Sequence, residues 1–96
     1  MDKTLYLINV YDYYGELLTD KQKEYFKDYY FNNLSLSEIS ENKNVSRNAI
    51  HKALKDAEDK LIYYESILKD FEKSVKIKEI IKDLDDEIKH KIEEII

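Results

Sequence analysis

Apolar residues recur along this chain at three- and four-residue steps, the spacing of an amphipathic α-helix. Leu7, Val10, Tyr11 and Tyr14, with Leu5 and Ile8 beside them, predict a first helix over Thr4–Tyr14. Gly15 follows, and glycine's tolerance of the left-handed conformation predicts a stop there. Thr19 and Gln22 have the spacing of a capping box, in which hydroxyl and amide satisfy each other's backbone N–H groups. The helix they open is predicted over Asp20–Phe31, with Gln22, Tyr25, Phe26, Tyr29 and Tyr30 around its inner face and Asn32-Asn33 at its end. Ser35 and Glu38 form a second capping box for a short helix, which Asn42-Lys43-Asn44 turns out of. Ser46 is a third N-cap. Behind it Ala49, Ile50, Ala53, Leu54, Ala57, Leu61 and Tyr64 form a long stripe that can run on through Ile67, Leu68 and Phe71. From Lys69 to Ile96 no breaker stands out, and Ile77, Ile81, Leu84, Ile88, Ile92 and Ile95 approach a heptad. One helix, or two joined near Ser74, is predicted there, with a stripe that must be buried against another helix.

Composition narrows the picture. Ninety-six residues make one small domain with a thin core, for which a partner subunit is a natural expectation. One Gly and no Pro remove the usual residues of tight hairpins and phosphate-binding loops. No Cys means no disulfide, thiol nucleophile or Cys-based metal site. The first residues lack the basic-then-apolar order of a signal peptide and no run is long enough to span a bilayer, so a soluble cytoplasmic protein is expected. The net charge of −5 opposes indiscriminate nucleic-acid binding, but it is uneven. Residues 43–60 are the only positive segment, at +2, between flanks of −4 and −3.

That segment carries a motif. From Leu34 to Leu54 the chain has the parts of a helix-turn-helix: apolar anchors Ile39, Val45 and Ile50 with Ala53 or Leu54, the small contact residue Ser40, and Asn44 in the turn. With Leu18-Thr-Asp-Lys-Gln-Lys-Glu-Tyr-Phe ahead of it, the pattern resembles region four of bacterial sigma factors. It is more similar still to the YlxM family, small sigma-region-four-like proteins encoded beside the signal recognition particle genes. The features shared with that family are Tyr11-Asp-Tyr-Tyr-Gly-Glu-Leu-Leu-Thr-Asp-Lys-Gln, the Tyr29-Tyr30 pair, Val45-Ser46-Arg47 and the acidic-aromatic stretch from Glu58 to Phe71. The resemblance covers residues 5–73 and leaves the tail without a counterpart. Asn44 replaces the usual turn glycine, and Lys43 takes a position usually apolar, which implies a less buried first helix. The resemblance implies a non-enzymatic regulatory protein, a nucleic-acid partner and an association with the signal recognition particle pathway.

In such motifs the N-terminal part of the second helix faces the major groove. Here Arg47, Asn48, His51, Lys52 and Lys55 are left over from anchoring, and their types suit base edges and phosphates. Ser35 and Ser37 could offer hydroxyls and N–H groups to a phosphate. The plain alternative is a solvated polar face, and Asp56, Glu58 and Asp59 just beyond weigh against a polyanion. DNA and RNA stay open as ligands. Nine Tyr and three Phe are many for this length, and fit either a tyrosine-rich core or a protein interface better than a base-stacking platform. The stripe Ile77, Ile81, Leu84, Ile88, Ile92 and Ile95 is expected to pair with the Leu54–Phe71 helix in its own chain or to make a homodimer. His51 and His90 lack metal-ligand spacing, and Asp83, Asp85, Asp86 and Glu87 lack that of a calcium loop, so no metal, cofactor or catalytic group is expected. The fold expected is all-α: a sigma-region-four-like helix-turn-helix domain of four helices over residues 1–73, extended by a helical, dimerising tail over 74–96. The function expected is regulatory nucleic-acid binding; the alternative is a module that docks on a protein partner.

Overall fold

Local capping starts most of the helices of the computed structural model, which describes residues 1–96. Helix α1, Lys3–Tyr14, begins where the Asp2 carboxylate accepts from Leu5 N–H at 3.0 Å. Helix α2, Asp20–Phe26, opens with the complete Thr19–Gln22 box. Helix α3, Leu36–Lys43, opens with the complete Ser35–Glu38 box, and α4, Arg47–Leu68, with Ser46 accepting from Ala49 N–H at 3.1 Å. Two more helices follow, α5 over Asp70–Ile81 and α6 over Asp86–Glu93. There is no strand, and the all-α class is as the periodicity predicts.

Helix α4 is the spine. It packs against α1, α2 and α3, and its Ala57 and Leu61 meet Leu7, Val10, Tyr14, Leu18 and Phe26 in one cluster. A second cluster joins Tyr25, Ile39, Ile50 and Leu54, which ties the short α3 to both neighbours. Only 15 of 96 residues are buried, and the molecule measures 51 × 25 × 23 Å. Its radius of gyration of 16.3 Å exceeds the roughly 12–13 Å typical of a sphere-like domain of this length. The thin core and long shape go with a tail, α5 and α6, that adds only Ser74 and Ile81 to the buried residues.

Four expectations are corrected. Gly15 is not left-handed: its φ is −55°, and it opens a turn of tighter helix over Gly15–Leu17. What requires glycine is the Tyr11 ring, which would sit 2.8 Å from an added Cβ. Helix α2 does not run evenly to Phe31; Lys27–Phe31 form a π turn in which Asn32 N–H reaches Lys27 C=O at 2.9 Å. The wider turn shifts the register, so Tyr29 turns outward while Tyr30 stays half-buried. The long stripe behind Ser46 does not continue through Phe71, because Lys69 takes a left-handed conformation (φ 58°) and separates α4 from α5.

The fourth correction concerns the tail. Ser74 lies inside α5 and is buried there; the second break is instead at 82–85, where Asp85 caps α6 by accepting from Ile88 N–H at 3.1 Å. The isoleucine stripe is therefore cut in two rather than forming one seam. Ile81 is buried, Ile77 and Ile92 are half-buried, and Leu84, Ile88 and Ile95 are exposed. Ile77 and Ile95 line one crevice with Tyr13 and Ser74, so α6 folds back towards α1 and α5 rather than lying along α4.

Candidate nucleic-acid interface

The corner between α3 and α4 is built from three local devices. Asn44 adopts the left-handed conformation (φ 55°, ψ 45°) and its N–H closes α3 on Ser40 C=O. The Ser40 hydroxyl then donates to Val45 C=O at 2.5 Å, while Val45 N–H returns to Ser40 C=O at 3.2 Å. Ser46 caps the next helix two residues after the turn. Ile39 and Ile50, both fully buried, close the angle from inside. The Ser40 hydroxyl thus ties the end of α3 to the residue that follows the turn.

Lys43, at the position usually apolar, fills a role of its own. Its ammonium bridges Glu24 and, at 3.6 Å, Asp28, tying the end of α3 to α2. The bond to Glu24 holds the ammonium charged and raises its pKa. This cation is committed to the fold and is no part of a ligand surface.

With the corner set, Arg47, Asn48, His51, Lys52 and Lys55 all lie exposed on the first turns of α4. Ser46, Arg47, Asn48 and His51 surround an open depression of about 440 Å³ whose one apolar wall is Leu36. Arg47 has no carboxylate within ion-pair distance. Lys52 and Lys55 do: they pair with Asp56 at 3.0 Å and Asp59 at 2.9 Å, one turn on. The bond to Asp59 raises the Lys55 pKa. Exposed pairs of this kind are screened by solvent and contribute little, so a phosphate can displace either carboxylate at small cost. Ser37 is exposed at the start of α3. Ser35 spends its hydroxyl on Glu38 N–H and lines a different hollow, with Thr4, Asn33 and Leu34. The predicted residues thus divide into a contiguous group on α4 and two serines to one side, one of them already bonded.

Residues that the pattern of apolar positions passes over shape the same face. Leu36 and His51 are shared between the depression and a smaller cavity bounded by Tyr29, Tyr30, Leu54, Lys55 and Glu58. The Tyr30 hydroxyl donates to Glu58 at 2.7 Å. Burial, with that bond second, pushes the Tyr30 pKa up. The signal for this pair is indirect: one polar residue bordering the stripe of α4 and an aromatic pair on the π turn after α2. No group of three or more His, Asp and Glu side chains converges as a metal site would require.

The architecture and this corner define a helix-turn-helix protein. A family model described as "UPF0122: Putative helix-turn-helix protein, YlxM / p13 like" matches residues 1–96. A UPF0122 protein of Fusobacterium nucleatum is 40% identical over 97 residues, covering all of this chain and 94% of the relative. One from Malacoplasma penetrans is 51% identical over 75 residues, 78% of this chain and 70% of the relative. One from Caldanaerobacter subterraneus is 52% identical over 67 residues, 70% of this chain, and the match spans only 57% of that relative's length. The chain belongs to the UPF0122 family of YlxM/p13-like helix-turn-helix proteins.

Proposed function

We propose that this protein is a non-enzymatic regulatory factor that binds nucleic acid through the N-terminal turns of α4. The observation that carries the reading is the exposed trio Arg47, Asn48 and His51 around one open depression at the helix-turn-helix corner, with Arg47 unpaired. Arg and Asn offer bidentate pairing to base edges, and Lys52 and Lys55 supply phosphate contacts by exchanging out of their own-helix pairs. Ser37, exposed at the start of α3, offers its hydroxyl to a flanking phosphate in this reading; Ser35, already capping α3, contributes through position only. The resemblance to sigma region four, and to proteins encoded beside the signal recognition particle genes, makes that particle's components the first partners to test. No helix is long and apolar enough to cross a membrane.

The exposed Leu84, Ile88 and Ile95 support a second element of the proposal, homodimerisation through α6, with Ile77, Ile81 and Ile92 packing the tail in place. A dimer would also double the cations presented to a ligand. The same apolar residues favour the alternative, a fold that docks on a protein partner.

Arg47→Ala with Lys52→Ala tests the central claim, since neither residue anchors the fold. Filter binding should lose retention of duplex and hairpin probes while circular dichroism stays unchanged; retained binding removes this face from consideration. With three cations engaged, log affinity should fall against log salt with a slope of about −3 per protomer. An interaction indifferent to salt would favour the protein-docking alternative. Light scattering of a chain ending at Lys82, which preserves α5, should show fewer subunits per particle than the full chain; an unchanged number of subunits excludes α6 as the dimer element.

A further inference from the structure

We infer that the cavity between Tyr29, Tyr30 and His51 is a nucleobase pocket, so that the ligand this site prefers is a nucleic acid with an unpaired base beside a paired stem. The inference deepens the reading above and rests on it. Its starting point is the charge along α4. Beyond Lys55 come Asp56, Glu58 and Asp59, and the one further cation of the helix, Lys60, is turned to Gln22 on α2. A duplex laid along the helix would bring phosphates against those carboxylates, so its contact is confined to the first two or three turns. Few phosphates can be neutralised there, and affinity must come from something besides the backbone.

The cavity supplies it. It holds about 130 Å³, has Leu54 and Leu36 as apolar walls, and is bounded by three flat rings, those of Tyr29, Tyr30 and His51. It adjoins the Arg47 depression through His51 and Leu36, which belong to both. Tyr30 is held in place by its 2.7 Å bond to Glu58, and Tyr29 stands edge-on to it at 5.0 Å and 81°. Tyr29 nevertheless stays 38% exposed, so an ordered ring keeps free surface for stacking. Glu58 uses one carboxylate oxygen for Tyr30; the other accepts no hydrogen bond and can take an amino group or ring N–H from a base. Lys55, on the same rim, is placed for the phosphate of the extruded nucleotide. Aromatic rings, a free acceptor and a cation around a small, half-open hollow fit a nucleobase, which RNA and DNA both offer.

The test measures fluorescence anisotropy with two labelled hairpins, one carrying a single unpaired purine in its stem and one fully paired, each made as RNA and as DNA. The protein should prefer the bulged hairpin by at least about fivefold, the lower end for one base–aromatic stack, and a preference in either the RNA or the DNA pair supports the pocket. Tyr29→Ala should remove the preference and leave the affinity for the paired stem unchanged, whereas Tyr29→Phe should keep it. Arg47→Ala should weaken both hairpins alike and leave their ratio intact. Equal affinity of the unaltered protein for both hairpins, or a ratio unmoved by Tyr29→Ala, overturns the pocket while leaving nucleic-acid binding by α4 standing. Binding to no hairpin overturns both. Circular dichroism of Tyr29→Ala guards against loss of the fold, which its half-exposed position makes tolerant.

Discussion

Glu65 is the one buried carboxylate of the molecule, 6% exposed, and it holds three donors. Its Oε1 accepts from the Tyr14 hydroxyl at 2.6 Å and from Phe71 N–H at 3.1 Å, and its Oε2 accepts from Glu72 N–H at 2.9 Å. The Tyr14 hydroxyl in turn accepts from Asp70 N–H at 2.9 Å. The first turn of α5 has no capping side chain of its own, since Lys69 precedes it in a left-handed conformation. Glu65 and Tyr14 therefore do the capping, and the positive end of α5 further favours a carboxylate there. Glu65→Gln keeps one acceptor oxygen, removes the charge and sets an NH₂ group against N–H or O–H donors. Bonds to a charged group contribute about 1.5–3 kcal/mol each, so losing one to two of them should cost about 3 kcal/mol. For a domain of this length that lowers Tm by roughly 12–24 °C. Tyr14→Phe, which removes one donor and one acceptor, should cost about 1–2 kcal/mol. The assay is urea unfolding followed by far-ultraviolet circular dichroism, with amide hydrogen exchange as the local readout. Phe71 and Glu72 N–H should lose protection in Glu65→Gln, and the two changes together should cost less than their sum. A Glu65→Gln protein within about 0.5 kcal/mol of the parent, with Phe71 and Glu72 still protected, would refute the reasoning.

Three further outcomes follow from the geometry. Burial first, and the bond to Glu65 second, push the Tyr14 hydroxyl up to about 12. Its ordinary value is near 10; the folded value being the higher, its contribution is complete below pH ~10 and lost as pH rises towards 12. Alkaline unfolding should therefore coincide with tyrosinate absorbance in that window, and Tyr14→Phe should shallow the decline; unfolding complete well below pH 10 would contradict it. Gly15→Ala should destabilise by about 1–3 kcal/mol through the Tyr11 ring and not through φ, so a Tyr11→Leu background should recover part of the loss in thermal melts. At the helix-turn-helix corner, Asn44→Gly should change stability by less than about 1 kcal/mol, while Asn44→Val, β-branched in a left-handed position, should cost 2 kcal/mol or so, measured by urea unfolding.

The local grammar of the chain was legible throughout its first half. Thr19 with Gln22, Ser35 with Glu38, Asn44 and Ser46 act on backbone groups within a few residues, so spacing alone announces them. The same holds for the buried Ile39, Ile50, Leu54 and Leu61, whose period specifies a helix face, and for the exposure of Arg47, Asn48 and His51, which that period leaves over. Asp85 belonged to this grammar as well, but as one acidic residue among four it was indistinguishable from a solvated face.

Other features exist only because distant segments meet. No local rule puts a lysine at φ 58°; Lys69 holds that conformation where Tyr14, 51 residues before Glu65, helps that carboxylate cap the following helix. Gly15 is required by a ring lying over it, not by its own torsions. Lys43 became a strut because α2 and the π turn behind it each offer it a carboxylate, and the cavity beside His51 has Tyr29, turned outward by that π turn, on its rim. Hydrophobic period and capping are short-range and are written in the order of residues. Breaks, struts and cavities depend on what packs across the chain, and only the folded arrangement decides them.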